Sequence, residues 1–113
     1  MSLFLRCNET FENIKNKKKI IELRINYGYI KNIKKNQNLK INYSNKNIDV
    51  IVTDLIYFKK LSDFFEKISY SKILPDINNQ IDAITYFDYL YPKRRFSNQI
   101  KKSGYVAIYI KII

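Results

Sequence analysis

The chain contains no histidine. That excludes an imidazole general base, a Ser-His triad and any zinc site built from His and Cys. Its single cysteine, Cys7, cannot close an internal disulfide, so a reducing compartment is expected. With no histidine to activate it, Cys7 is expected to be a plain apolar contact. No run of 18 apolar residues occurs, and "MSLFLRC" is too short and too soon charged to serve as a signal peptide. The expectation is a soluble intracellular protein, cytoplasmic or nuclear, without a membrane partner. Nothing in the residues calls for a metal or a cofactor.

What is present is apolar, aromatic and basic. The 113 residues are 46% hydrophobic and hold 10 Tyr and 7 Phe. They amount to a single folded domain, 1–113, that buries roughly two thirds of its unfolded surface. The net charge is +11. Lys, Ile and Asn supply 17, 20 and 13 residues. All three are favoured by A/T-rich codons, so the total alone does not point to nucleic acid. The distribution says more. Residues 15–46 carry net +9, residues 47–91 net −3, and residues 92–113 net +6 with no acid. If the first and last thirds meet in space, they form one basic face.

Periodicity gives the order α-β-β-β-α-α-β. A helix starts near Thr10 as N-cap, with Phe11 and Ile14 on one face. "KIIELRIN" is a strand rich in β-branched residues. "YGYIKNIKKNQN" is loop-rich. "LKINY" alternates Leu39, Ile41 and Tyr43 against Lys40 and Asn42, and "SNKN" is a hairpin turn. "IDVIVTDLIYF" is a long strand whose alternation weakens near Asp54, the mark of a bulge or of burial on both faces. "LSDFFEKIS" is a helix capped by Ser62. "INNQIDAITYFDYLY" is a helix with Ile77, Ile81, Ile84 and Leu90 or Tyr91 at helical spacing. "PKRRFSNQIKKSG" is a basic loop, and "YVAIYIKII" a closing strand. This order suits an α+β fold: a small barrel of mixed or antiparallel strands, with two or three helices packed outside.

Three segments in this order resemble an ASCH domain, a relative of the PUA fold tied to RNA. "NKKKIIELR" (Asn16–Arg24) is similar to the family's Gly-Lys-Lys-Thr-Ile-Glu-Leu-Arg segment, with Lys19, Glu22 and Arg24 at its polar positions. "VIVTDLIYFKKLSDFFEKI" resembles its strand, linker and helix, and "GYVAIYIKI" its closing strand. The resemblance spans nearly the whole chain and implies a PUA-like barrel. The glycine usual before the lysines is Asn16 here. The usual Gly-Asp turn before the second strand is Gln37-Asn38. Some members are amidohydrolases that deacylate acetylcytidine through a Lys and a Thr, with an Arg and a distant carboxylate. Asn16–Arg24 holds no threonine, and the Glu22 carboxylate does not replace a hydroxyl nucleophile.

The residues themselves suggest the same cluster. Positions two apart on a strand face one way, so Glu22 and Arg24 project together. Lys19, at the helix-to-strand junction, can turn to the same side. Arg24 offers a planar fork for phosphate or a base edge, and Glu22 can hold it or accept from an amino group. A desolvated Lys19 would act as base or nucleophile. The alternative is a surface ion pair worth roughly 0–1 kcal/mol. Asp76 is the candidate distant carboxylate, or else the N-cap of the next helix. Tyr27, Tyr29 and Tyr57 would stack bases if exposed and would be core aromatics if buried. Lys34, Lys35, Lys93, Arg94, Arg95, Lys101 and Lys102 are candidates for holding a phosphate backbone, or form a solvated face.

The expected function is binding of RNA, as a single strand or a modified nucleotide, in a cleft lined by Lys19, Glu22 and Arg24. The alternative is a hydrolase of a modified nucleoside, or a ribonuclease, that uses Lys19. A third reading is a protein-interaction module whose charge is only codon bias.

Overall fold

Every strand of the sheet is explained by which of its faces must be covered. The computed structural model describes residues 1–91 and 93–113, leaving out Pro92 and the side chains of Leu90, Lys93, Arg94 and Arg95. The elements are β1 (Ser2–Phe4), α1 (Asn8–Lys15), β2 (Ile21–Ile25), a 3₁₀ turn (Gly28–Asn32), β3 (Asn38–Tyr43), β4 (Lys46–Phe58), α2 (Leu61–Lys67), a second 3₁₀ turn (Tyr70–Lys72), α3 (Gln80–Leu90), α4 (Lys93–Ser103) and β5 (Tyr105–Ile112). Among the described residues five strands form one sheet in the order β1-β3-β4-β5-β2. β1 runs parallel to β3, and the other pairs are antiparallel.

β4 is the hinge of this sheet. Its first half pairs with β3 and its second half with β5, with a register shift between Val52 and Asp54. The weakened alternation at Asp54 therefore marks a bulge, which bends the strand and lets the sheet curl into a half-barrel. Leu3, Leu39, Ile41, Val50, Val52, Val106 and Ile108 fill the inside. Ile21, Leu23, Ile25, Tyr105 and Ala107 face outward against Phe64, Phe65, Ala83 and Phe87 of α2 and α3. β5 thus serves both cores, which is why its odd and even positions are both apolar. This is the expected α+β architecture, a small PUA-like barrel with helices outside.

Four local expectations change. The segment 92–103 is helical from Lys93, not a loop: Phe96 and Ile100, one turn apart, pack on the outer core. The Lys and Arg residues that flank this pair, at 93–95 and 101–102, are good helix formers, and their charge masked the pattern. α1 begins at Asn8 with Cys7 as N-cap, so Thr10 lies inside it. α2 begins after Lys60, so Ser62 is not its cap. Ile81 is 75% exposed, and α3 instead buries Ala83 and Phe87. β1 was not anticipated: three residues carry no period, and their partner lies far along the chain.

The turns also shift by one residue. The left-handed residue after α1 is Lys17 (φ 62), not Asn16 (φ −87). Lys17 N–H donates to the Ile14 carbonyl at 3.0 Å and Lys18 N–H to that of Asn13 at 2.9 Å, a Schellman close to the helix. The turn before β3 takes positive φ at Asn36 (φ 70), ahead of Gln37-Asn38.

Candidate functional site

β2 lies at one edge of the sheet and pairs only with β5 among the described residues. Glu22 stands opposite Ile108, and Arg24 opposite Val106. Directly paired residues share a face, so both charged side chains point to the inside of the half-barrel. The Schellman turn then delivers Lys19 to the same place. Lys19 is 4% exposed and Glu22 7%, the buried charged residues among those described.

The three side chains form one bonded unit. Lys19 Nζ lies 3.3 Å from Glu22 Oε1 and donates to the Ile73 carbonyl at 2.7 Å. Arg24 donates to Glu22 Oε2 from Nε at 3.0 Å and from Nη2 at 2.8 Å. Each Glu22 oxygen therefore faces one of the two cations, and Glu22 holds both in place. Arg24 Nη2 also donates to the Phe4 carbonyl at 3.0 Å. Phe4 ends β1, at the opposite edge of the sheet, so this bond ties the two free edges together. Arg24 Nη1 stays unengaged among the described residues.

The electrostatics follow from burial. Burial pushes the Glu22 carboxyl up, but Arg24 and Lys19 more than reverse this and hold it below the usual carboxylate range. Burial lowers the Lys19 ammonium below the usual lysine value, with Glu22 offsetting only part of that. Burial raises the Tyr91 phenol, against the pull of Arg24.

Two pockets meet at Lys19. A pocket of about 50 Å³ is lined by Lys19, Glu22, Arg24, Arg6, Tyr86 and Tyr91, among others. A neighbouring one of about 130 Å³ runs past Lys19 to Asp76 and Glu9. They share Cys7, Thr10, Lys19, Leu74 and Tyr86 as walls. Asp76 therefore looks onto the same cleft as Lys19. It accepts a hydrogen bond from Asn13 Nδ2 at 2.9 Å, and the cap of α3 is Asn79 instead. The Asn13 and Glu9 side chains hold the Asp76 carboxyl below its usual range, while the bond with Asp76 raises Glu9.

The remaining candidates lie around this cleft or on the surface. Tyr27, Tyr29 and Tyr57 are 57%, 46% and 56% exposed, so they are not core aromatics. Tyr57 pairs with Val106, which pairs with Arg24, so the three form one row across β4, β5 and β2. Lys34 and Lys35 are exposed ahead of β3. Lys101 and Lys102 are exposed on the last turn of α4, where their carbonyls accept from Lys59 Nζ at 3.4 and 3.2 Å. Lys93, Arg94 and Arg95 begin α4, and their side chains lie outside the described residues.

Sequence reasoning missed Arg6, Tyr86 and the role of Cys7. Arg6 stands in the short link between β1 and α1, and a lone arginine there gives no local signal. Cys7 is exposed, not an apolar contact: its Sγ lies 3.0 Å from Thr10 Oγ1.

No family model matches the sequence, and no curated protein does. Solved structures do match. The crystal structure of hypothetical protein PH0355 superposes with a TM-score of 0.81 at 26% identity, over 99% of this chain and 97% of that one. The solution structure of protein PF0455 from Pyrococcus furiosus gives 0.75 at 25% identity, over 99% and 96%. These likenesses establish the fold and bring no activity with them.

Proposed function

We propose that the protein is an RNA-binding domain of the ASCH type, which takes a nucleotide of single-stranded RNA into the cleft at Lys19, Glu22 and Arg24. The observation that carries this reading is the convergence of those three side chains in one pocket inside the barrel. An exposed ion pair of no consequence would not be buried, doubly hydrogen-bonded and set at a pocket wall. The exposed tyrosines supply flat faces near the cleft, and every base has a face to stack. The pairing of β2 with β5 brings together the basic first and last thirds of the chain, which suits a polyanion.

The test is equilibrium binding of a labelled single-stranded RNA at low and rising salt. Binding should weaken steadily with salt, and replacing Lys93, Arg94 and Arg95 by Ala should weaken it for all sequences alike. No binding at low salt, or none of this loss in the triple variant, would sink the proposal.

A second reading is an acetylcytidine-type amidohydrolase or a ribonuclease with Lys19 as base or nucleophile. Two observations favour it: burial lowers the Lys19 ammonium, and Asp76 lines the same cleft. Against it, none of Lys19, Glu22 and Arg24 carries a hydroxyl nucleophile. Incubation with acetylcytidine and with RNA, wild type beside Lys19→Ala, decides. Turnover that survives in the variant rejects a mechanism through Lys19.

A further inference from the structure

The pocket at the triad has a charge imbalance that nothing within it cancels. Arg6, Lys19 and Arg24 line it together with a single carboxylate, Glu22. That leaves an excess of two positive charges around about 50 Å³ of space. Lys19 is 4% exposed, and a buried cation without full compensation is costly. Donors also remain unused. Arg24 Nη1 has no partner among the described residues, and Lys19 has three N–H groups for its two contacts. Arg6 makes no ion pair among the described residues. The Tyr86 and Tyr91 phenols complete the wall.

The size of the pocket narrows the choice of anion. A water needs roughly 10–15 Å³ of such space, so the pocket admits a group of about four or five heavy atoms. A phosphoryl group has that size, so of a nucleotide taken at the cleft it is the phosphate that enters this pocket. The charge agrees: a phosphate monoester carries about −1.5 to −2 at pH 7, against a single charge for a diester in mid-chain. A terminal group also enters the pocket without threading a strand through it.

We infer that Arg6, Lys19 and Arg24, held in place by Glu22, form a pocket for a phosphate monoester, supplied either by the end of an RNA strand or by a free nucleotide. Glu22 acts as a positioning residue. The base next to the phosphate stays outside the pocket, and the exposed Tyr29 and Tyr57 are the faces offered for stacking it. This assignment rests on the RNA reading only for the identity of the strand. The anion pocket stands on the charge and volume alone.

The experiment compares short single-stranded RNAs of one sequence that carry a 5′-phosphate, a 3′-phosphate or hydroxyl ends. Their binding to the full chain is measured by fluorescence anisotropy, with inorganic phosphate and a nucleoside monophosphate as competitors. One phosphorylated end should bind about 10-fold or more tightly than the hydroxyl end, the worth of one charge-assisted hydrogen bond. Arg6→Gln, an exposed change that spares the core, should cut that preference by about 2–5-fold, as an accessible charge contact would. If the monophosphate binds and no RNA does, the pocket stands with a free nucleotide as its ligand, and the RNA reading falls. Equal binding of all ends, with no competition by either phosphate, overturns the pocket but leaves RNA binding intact. A phosphate preference unchanged in Arg6→Gln also overturns it, since the selectivity would then arise elsewhere.

Discussion

Glu22 carries more of this protein than any other single residue. It links Lys19 and Arg24, and through Arg24 it reaches the other edge of the sheet. Removing one member of a buried charged unit leaves the others uncompensated, which costs about 3–5 kcal/mol. Glu22→Gln should therefore lower the unfolding free energy measured in urea by an amount in that range. The pH dependence has a definite sign. The folded Glu22 carboxyl sits below its ordinary value of about 4.3, so its contribution is complete above that value and fades as pH falls below it. Wild type should lose stability between about pH 5 and pH 3 more steeply than Glu22→Gln, in urea titrations at each pH. An equal slope would show that Glu22 titrates normally. The exposed tyrosines make the opposite case. Tyr29→Ala and Tyr57→Ala should leave stability nearly unchanged yet each weaken RNA binding by about 1–3 kcal/mol, if they stack bases as proposed.

Among the elements, the junction between α1 and β2 sets the site. The helix closes through Lys17 in a left-handed conformation, which costs an L-residue with a side chain roughly 1–2 kcal/mol. Glycine would avoid that cost and lose part of the gain to chain entropy. Lys17→Gly should raise stability by about 0.5–1 kcal/mol, read as an increase in Tm, without moving Lys19. Gly104, between α4 and β5, is the contrary case. Its φ is +67, and a Cβ there would collide with the Phe58 carbonyl oxygen. Its own carbonyl accepts from Asn26 N–H at 3.0 Å, so the backbone cannot retreat without breaking that bond. Gly104→Ala should cost about 2 kcal/mol or more in thermal or urea unfolding. Asn16 and Gln37-Asn38 mark the two turns in the sequence, while Lys17 and Asn36 take the positive φ, because that depends on how the helix and strand meet.

For the whole molecule, closure and charge are the two collective properties. The sheet leaves β1 and β2 as edges, and the bond from Arg24 to the Phe4 carbonyl spans the gap. The triad pocket and the barrel seam are therefore the same place. Charge acts at longer range. The salt dependence of RNA binding should lose about 0.7 in slope of log K against log salt for each phosphate-contacting cation removed. Replacing Lys93, Arg94 and Arg95 together should flatten the slope by roughly 2, if all three touch phosphate. A parallel line at lower affinity would show that the change acts on structure instead.

The sequence by itself determined the elements whose apolar period is long: β3, β4 with its break in alternation at Asp54, the alternating β5, and the polar face of β2. Strand parity put Glu22 and Arg24 on one side, because successive side chains alternate. Only the tertiary structure decided the rest. It showed that the charged face of β2 turns inward at an open edge, that Lys19 arrives there through a left-handed turn, and that Arg6 joins from the link after β1. It also made a helix of the basic segment after Pro92, because Phe96 and Ile100 find an apolar surface that no local pattern reveals. Local periodicity fixes which side chains point together; what they point at depends on chain segments far away, whose contacts leave no mark on the nearby sequence.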